Sequence, residues 1–238
     1  MSFDFSTHNA ENLEIQNETF LLYAPPGMGK TSTIKYLPGK TLLIDVDRTS
    51  HVLKGCPNIE IMYADNKRTW DWYTAFCKHA ETNLKGKFDN IVIDNVSELE
   101  RCMLSSLGDK GKNNGVPSQG DYQYMQFRVV NSFRWFKSLA KRTVFLAWET
   151  TELITTSEGQ QFNRALPQIN GKIVNNVLGL CHVVGRLMVK TDGERGFVLS
   201  ASNSIYAKNQ LDNRKGCLQS EIFNVGDIDA SSSDISGN

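Results

Sequence analysis

The strongest constraint on the fold lies near the N-terminus, where a short apolar run meets a turn rich in glycine and proline. Phe20 to Ala24 are apolar and predict a buried strand, and the helix predicted after the turn is closed by Pro38 and Gly39. Within the turn, Gly27 and Gly29 lack a Cβ, so their backbone N–H groups can surround a phosphate anion. The segment therefore predicts a strand, a phosphate-binding loop and a helix.

Two side chains that follow the turn match the chemistry of such a loop. Lys30 is placed to neutralise the β- and γ-phosphates of a nucleotide, and the Thr31 hydroxyl is placed to hold Mg²⁺. The pattern departs from G-x-x-x-x-G-K-[ST] at its first position, where the chain has Ala24. The alternative is a chance Gly-rich turn after a strand. The residues predicted to bind ATP are Ala24, Pro25, Pro26, Gly27, Met28, Gly29, Lys30, Thr31 and Ser32.

A second buried run supplies a carboxylate. Residues 91–94 read IVID, and this pattern predicts a central parallel strand that ends at Asp94. In phosphate-loop enzymes a carboxylate at this place holds the metal ion. Thr31 and Asp94 are therefore the predicted ligands of Mg²⁺.

The rest of the chain alternates strand and helix patterns. Further strands are predicted at 41–46, 58–64 (as an edge strand) and 143–147. Helices are predicted at 69–84, 96–107, 121–141 (capped by Asp121) and 173–180. Residues 182–189 and 197–201 predict a hairpin. The fold class expected is α/β, a mostly parallel central sheet flanked by helices, with a C-terminal antiparallel hairpin.

Two segments lack apolar periodicity. Gly108 to Gly120 predicts a mobile loop, and Thr150 to Lys172 predicts a flexible loop or a small hairpin. Loops of this length inside compact domains are usually either functional or disordered. Both segments are therefore candidates for binding a partner.

Length and composition predict one domain. A chain of 238 residues suffices for a single core, expected at 19–220, with a flexible lead-in at 1–18 and a disordered tail rich in Ser and Asp at 221–238. The 26 basic and 26 acidic residues balance, which excludes a strong overall field for nucleic acid, although the acidic tail leaves the remainder net basic by four. Five cysteines without C-x-x-C spacing favour a reducing compartment, and the sequence has no long apolar run.

Five segments together resemble the RecA-type P-loop ATPase core, and most closely the small phage-encoded nucleotide-binding proteins of that class. Several of those proteins (Sak-type) act in single-strand DNA annealing or recombination. The matching segments are APPGMGKT (24–31), LLIDVD (42–47), IVID (91–94), VFLAWE (144–149) and YAKNQLDNR (206–214).

The resemblance implies catalytic roles for particular residues. Asp47 takes the place of the carboxylate that polarises the attacking water, with Asp45 as the alternative, and Glu149 takes the place of the γ-phosphate sensor. Lys208 and Arg214 take the place of finger residues that reach a neighbouring subunit's nucleotide, and the alternative is that both are ordinary surface cations. The predicted catalytic set is Lys30, Asp47, Asp94, Glu149, Lys208 and Arg214.

The resemblance also implies partners. The two aperiodic segments resemble the DNA-binding loops of RecA in position, and their cations and aromatic ring are Lys110, Lys112, Phe162, Arg164 and Lys172. Such groups bind single-stranded DNA by neutralising phosphates and stacking on bases, although they could be no more than solvated loop residues. The implied cofactors are ATP and Mg²⁺. The implied partners are single-stranded DNA, further copies of the chain in a ring or filament, and a single-strand-binding protein, all in the cytoplasm (of the host for a phage protein) and without a membrane.

Two other functions remain open at this point. A helicase loader or replication initiator of the AAA+ class needs a helical lid with a sensor arginine after the core, whereas the C-terminal part of this chain predicts strands. A small-molecule P-loop kinase needs an Arg-rich lid, whereas Arg164 is the only arginine in the two aperiodic segments. The sequence does not choose between annealing and strand exchange, or between DNA and RNA.

Overall fold

A single twisted sheet organises the molecule. The computed structural model describes residues 5–7, 9–12, 15 and 17–226, and in this part of the chain ten strands form the sheet. The strand order is β10-β8-β7-β1-β5-β4-β2-β3, with β6 paired to β5 and β9 paired to β7. The strands are β1 Glu18–Ala24, β2 Thr41–Asp45, β3 Ile59–Tyr63, β4 Asn90–Asp94, β5 Arg142–Thr155, β6 Gln161–Pro167, β7 Val183–Val189, β8 Arg195–Val198, β9 Lys208–Asn209 and β10 Gly216–Leu218.

The central strands are parallel and buried on both faces. Strands β1, β2 and β4, together with β3 at the edge and the first half of β5, run in the same direction, and β7 joins them beside β1. Every residue of β2 and β4 is buried, which explains why these strands read as short continuous apolar runs. Their register places Asp45 opposite Asp94 and places Ala24 opposite Trp148. The polar residues that follow these strands therefore meet at one edge of the sheet.

The two faces of the sheet are covered by different kinds of element. Four α-helices pack on one face, namely α1 Thr69–Asn83, α2 Val96–Lys110, α3 Gln119–Phe136 and α4 Val174–Leu180. The other face is covered by shorter pieces, the 3₁₀ helices Thr31–Tyr36, Ser50–Leu53 and Gln219–Glu221. Each face of the sheet has its own apolar core, and the side chains of β1 alternate between them. Leu21 and Tyr23 pack in the core under the α-helices. Phe20 and Leu22 pack in the core under the 3₁₀ helices.

The predicted fold class is confirmed, and the differences lie in how the helices end. The helix after the phosphate loop is a 3₁₀ helix of six residues, because Pro38 leaves no room for a longer one. Helix α2 continues to Lys110, so the predicted loop 108–120 shrinks to the turns between α2 and α3. Ser118, not Asp121, is the N-cap of α3, because Asp121 sits at the third helical position and completes a capping box. Helix α3 ends at Phe136, five residues before the predicted end at Lys141.

Of the two structures considered for residues 150–172, a hairpin is the correct one for its greater part. Strand β5 continues past the sheet to Thr155 and turns back through β6 in antiparallel register, with Thr155 opposite Gln161. The predicted C-terminal hairpin is also present, formed by β7 and β8. The two hairpins are the main antiparallel additions to the parallel core.

The ordered chain extends beyond the predicted start of the tail. Ile222 and Phe223 are buried, and the Phe223 ring packs edge-on against Phe20 at 5.3 Å between centroids. The core therefore includes residues predicted as tail, because two large apolar side chains just after residue 220 complete the second face of the sheet. Residues 227–238, where the rest of the tail is predicted, lie outside the described residues.

None of the helices in the described ranges is long and apolar enough to cross a membrane. The five cysteines are all free thiols, in line with the absence of C-x-x-C spacing.

Candidate active site

The loop after β1 has the backbone that the glycine pattern predicts. Gly27 and Gly29 have φ values of 80° and 98°, in the left-handed region where glycine is favoured. The loop spans the residues between Ala24, which ends β1, and Thr31, which begins the 3₁₀ helix. A 3₁₀ helix of six residues aligns few peptide dipoles. Anion binding therefore depends mainly on the loop N–H groups and on Lys30.

Lys30 lies folded over this loop. Its Nζ donates to the carbonyl oxygens of Ala24 and Pro25 at 2.9 and 3.1 Å, and the residue is 7% exposed. Burial lowers the pKa of the Lys30 ammonium, and the nearby carboxylates of Asp94, Asp47 and Glu149, in that order, raise it in opposition. The cation is thus held at the centre of an acidic cluster, where a polyphosphate would compete for it.

The two predicted metal ligands are in direct contact. The Thr31 hydroxyl donates to Oδ2 of Asp94 at 2.6 Å, and burial raises the pKa of the Asp94 carboxyl to about 7, assisted by the charges of Asp47 and Asp45. A hydroxyl and a carboxylate are the hard oxygen ligands that Mg²⁺ prefers. In the described ranges no cluster of three or more His, Cys, Asp or Glu side chains could hold a metal alone. The pair therefore fits Mg²⁺, and Thr31 and Asp94 would hold the ion.

Asp47 reaches the same edge of the sheet. Its Oδ1 accepts from the Asn95 backbone N–H at 3.1 Å, and its Oδ2 accepts from the Asn95 side-chain amide. Burial, followed by the charge of Asp45, raises the pKa of the Asp47 carboxyl. An acid with a raised pKa is a better proton acceptor than an ordinary aspartate, as a base acting on water requires.

Asp45, the alternative to Asp47, has a different environment. It is fully buried, and its two carboxylate oxygens accept from the backbone N–H groups of Thr49 and Ser50 at 3.3 and 3.1 Å. These bonds fix the turn after β2. The structure therefore gives Asp45 a structural setting and places Asp47 beside the residues of the metal site.

Glu149 is not an isolated carboxylate. Arg186 on β7 forms two parallel hydrogen bonds with it, Nε to Oε2 and Nη2 to Oε1, both at 2.8 Å. A bidentate pair of this geometry neutralises the charge of Glu149, which would otherwise repel a γ-phosphate. Glu149 is also the residue at which β5 begins to pair with β6. The Glu149–Arg186 pair thus lies at the base of the β5–β6 hairpin.

The two predicted finger residues are engaged within the chain. The Lys208 Nζ donates to the carbonyl oxygens of Leu178 and Gly179 near the end of α4, and burial lowers the pKa of its ammonium. Arg214 pairs with Asp212 at 2.7 Å and donates to the Glu221 carbonyl, with its side chain only 10% exposed. Neither side chain can reach a second chain without first breaking these contacts.

The predicted DNA-contacting residues differ in their surroundings. Lys110 lies on α2 in an ion pair with Asp71, and Arg164 on β6 pairs with Glu152 across the hairpin. Phe162 on β6 is half-buried opposite Ile154, whereas Lys112 and Lys172 are exposed and make no ion pair within the described ranges. Leu153 at the hairpin is 62% exposed, and its sequence context gave no sign of this.

Sequence reasoning missed two residues of the site. Asn95 follows the predicted strand directly and both caps α2, through Glu98 N–H at 2.8 Å, and binds Asp47. Arg186 stands inside the apolar run HVVGRLMV. A charged residue in such a run signals a buried partner, because an unpaired charge there is costly, but the run does not reveal which carboxylate it is.

Glu100, on the helix that follows the metal-site strand, also has an unusual environment. Its Oε2 accepts from the Asn170 N–H at 3.0 Å, its Oε1 has no partner, and it faces an apolar cavity lined by residues such as Phe133 and Phe145. Burial raises the pKa of its carboxyl from 4.5 to about 7. The folded chain therefore binds this proton over a pH range in which the unfolded chain has lost it.

We expect this shift to make stability depend on pH. As pH rises from 5 to 8, Glu100 must ionise in a buried site, so the free energy of unfolding falls by about 2 kcal/mol. Glu100→Gln removes this contribution and should flatten the decline, measured by denaturant unfolding at both pH values. Glu158→Gln, at an exposed carboxyl, controls for the loss of one acid. Equal declines in wild type and Glu100→Gln would contradict the expectation.

The phosphate loop, the Thr31–Asp94 contact and the parallel sheet that brings them together define a P-loop nucleoside triphosphatase, a class that binds ATP with Mg²⁺. The family is shown by the sequence as a whole, because a family model described as an AAA domain matches residues 16–211. The chain therefore belongs to the AAA domain family and is a P-loop ATPase. A comparison with curated protein sequences found no significant match.

Proposed function

We propose that the protein binds and hydrolyses ATP while bound to single-stranded DNA, and that it acts as an oligomer in phage DNA recombination by annealing or strand pairing. One observation carries the proposal. Strand β5 lies between the phosphate-loop strand β1 and the metal-site strand β4, and the same strand continues outward as the β5–β6 hairpin. A change at the nucleotide would therefore act directly on the base of a projecting element.

The residues divide the hydrolytic work between them. Loop N–H groups and Lys30 bind the β- and γ-phosphates, and Thr31 and Asp94 would hold Mg²⁺, which would supply neutralising charge at the phosphates. Asp47, held by Asn95, accepts the proton of the attacking water. These side chains lie at or just after the ends of β1, β2 and β4, so the sheet fixes their relative positions.

Coupling to the hairpin runs through two contacts. Glu149 and Arg186 join β5 to β7, so a γ-phosphate that attracts Arg186 would loosen Glu149 at the hairpin base. The Tyr23 hydroxyl, one residue before the loop, lies 3.0 Å from the carbonyl oxygen of Ala165 on β6 and 2.6 Å from that of Tyr206. The loop strand and the hairpin are thus hydrogen-bonded to each other.

The single experiment that tests this function is the ATPase rate with and without single-stranded DNA. We expect strong stimulation by single-stranded DNA and little by duplex. A rate that DNA does not change, together with transfer of phosphate to a small molecule, would favour a kinase. A helicase loader is less well supported, because the described residues after β7 form strands and one short 3₁₀ helix, Gln219–Glu221, and no helical lid.

The oligomer is tested separately by the mass of the protein in solution with ATP and DNA. We expect a ring or filament under these conditions, and a single-strand-binding protein to alter its loading on DNA. A monomeric mass with both ligands present would reject the oligomer.

We expect the free cations beside the hairpin and after α2 to carry DNA affinity. Replacing Lys112 and Lys172 together by Ala should weaken binding and reduce the slope of log K against log salt by about 1.4, because two phosphate contacts are lost. ATPase without DNA should be unchanged. Phe162→Ala should weaken binding without changing the slope, since stacking involves no counterion release.

A matched control for these DNA variants is Lys54→Ala. Lys54 is exposed next to the 3₁₀ helix Ser50–Leu53, on the face of the sheet opposite to the α-helices. If Lys54→Ala weakens DNA binding as much as Lys112→Ala or Lys172→Ala alone, charge for charge, the cations act through net charge alone and the assigned surface is wrong.

A further inference from the structure

The phosphate loop has a cation beside it that its own sequence pattern does not contain. Arg195, the first residue of β8, lies against Gly29. Its Nε, Cδ and Cζ lie 3.2, 3.5 and 3.6 Å from the position that a Cβ on Gly29 would occupy, and outside residues 28–30 they are the three heavy atoms nearest to that point. Gly29 directly precedes Lys30, so the Arg195 guanidinium is next to the loop segment predicted to hold the phosphates.

The fold fixes the positions of both Arg195 and Gly29. The β7–β8 hairpin pairs Val189 with Arg195, and it is anchored two residues later by the fully buried Phe197. From the C-terminal side, the buried Gln219 amide donates to the carbonyl of Gly29 and to the hydroxyl of Thr33, both at 2.9 Å. Gln219 therefore fixes the loop backbone at Gly29, and the β7–β8 pairing fixes the backbone position of Arg195 beside it.

The Arg195 guanidinium is also available to a ligand. The residue is exposed, and within the described ranges it makes no ion pair; its neighbour Glu194 pairs with Lys190 instead. The cations predicted to assist from a second subunit, Lys208 and Arg214, are held in contacts of their own chain. Arg195 is thus an unpaired cation at the loop in addition to Lys30.

We propose that Arg195 binds the polyphosphate of the nucleotide held by its own chain. A guanidinium presents parallel N–H donors that match two phosphate oxygens. This second cation would share with Lys30 the neutralisation that phosphoryl transfer requires. The proposal depends on nucleotide binding at the phosphate loop and is independent of DNA.

The first test compares Arg195→Ala and Arg195→Lys by equilibrium binding of a fluorescent ATP analogue. Arg195→Ala should lower affinity about 10- to 100-fold and flatten its dependence on salt, because one charge contact with the phosphates is lost. Arg195→Lys should restore much of the affinity and the salt dependence. Arg134→Ala, at an exposed arginine on α3, is the matched control and should bind as wild type.

Two results of the binding test would overturn the proposal. One is an affinity of Arg195→Ala within about twofold of wild type. The other is a loss of affinity with unchanged salt dependence that Arg195→Lys does not restore, which would mean that the side chain packs against the loop or the base.

The second test decides which chain Arg195 serves. Arg195→Ala is mixed with Lys30→Ala, and ATP hydrolysis is measured. If Arg195 acts within its own chain, no site in the mixture has both cations and activity does not recover. Recovery on mixing would show that Arg195 reaches the neighbouring subunit and would overturn the assignment. Failure of DNA to stimulate wild type would reject the proposed function and leave both results unaffected.

Discussion

Replacing Lys30 by Ala should abolish ATP turnover and weaken nucleotide binding. Its ammonium is 7% exposed at the centre of the loop and is the cation placed to meet the β- and γ-phosphates. Without it, the charge that develops on the phosphoryl oxygens loses a preorganised partner, and the rate should fall by at least about a hundredfold. The rate is measured by phosphate release and the affinity by equilibrium binding.

Lys35→Ala is the control for the Lys30 variant. It removes the same charge from an exposed position five residues further on, in the 3₁₀ helix Thr31–Tyr36. Wild-type affinity and turnover in Lys30→Ala would mean that this loop does not bind the phosphates, whatever its glycine pattern. Equal losses in both variants would point to net charge as the cause.

Asp47→Asn should bind ATP almost normally and hydrolyse it at least about a hundredfold more slowly. An amide keeps the size of the side chain, and its one oxygen can still accept from the Asn95 backbone N–H, but it cannot accept the proton of water. Single-turnover hydrolysis separates this loss from a change in binding. Asp47→Asn should therefore lose hydrolysis and keep ATP affinity, whereas Lys30→Ala should lose both.

Asp45→Asn provides the comparison for Asp47→Asn. Because the Asp45 carboxylate accepts from the N–H groups of Thr49 and Ser50, its replacement should lower the thermal midpoint and affect hydrolysis less than Asp47→Asn does. A larger catalytic defect in Asp45→Asn, with Asp47→Asn nearly normal, would move the base by two residues along the chain.

The ion pair of Glu149 bears on the sensor role proposed for this residue. In the sequence alone, a carboxylate at this place is an obstacle to a γ-phosphate. The bidentate contact with Arg186 converts it into half of a neutral pair that a phosphate can rearrange. The same contact lies at the start of the β5–β6 pairing, so in the proposed function sensing and output would share one residue.

The elements whose signal is local could be read from the sequence. The apolar run before the phosphate loop, the IVID strand and the C-terminal hairpin are where the patterns place them, because side-chain periodicity and turn residues act within a few positions. The predicted helix ends were wrong where neighbouring residues differ by only about a few tenths of a kcal/mol as caps. Ser118 caps α3 in place of Asp121, and α2 continues to Lys110 through a Gly-containing turn.

The sequence by itself determined the strand, loop and acidic residues of a phosphate-binding site, since each is encoded by adjacent positions. Only the tertiary structure decided which side chains meet there. Asn95 binds Asp47 from 48 positions away, Arg186 neutralises Glu149 across 37, and Gln219 holds Gly29 across 190. Such pairs leave no mark at any one position, because the sheet register and the packing of the C-terminal segment, not the local pattern, bring them within hydrogen-bonding distance.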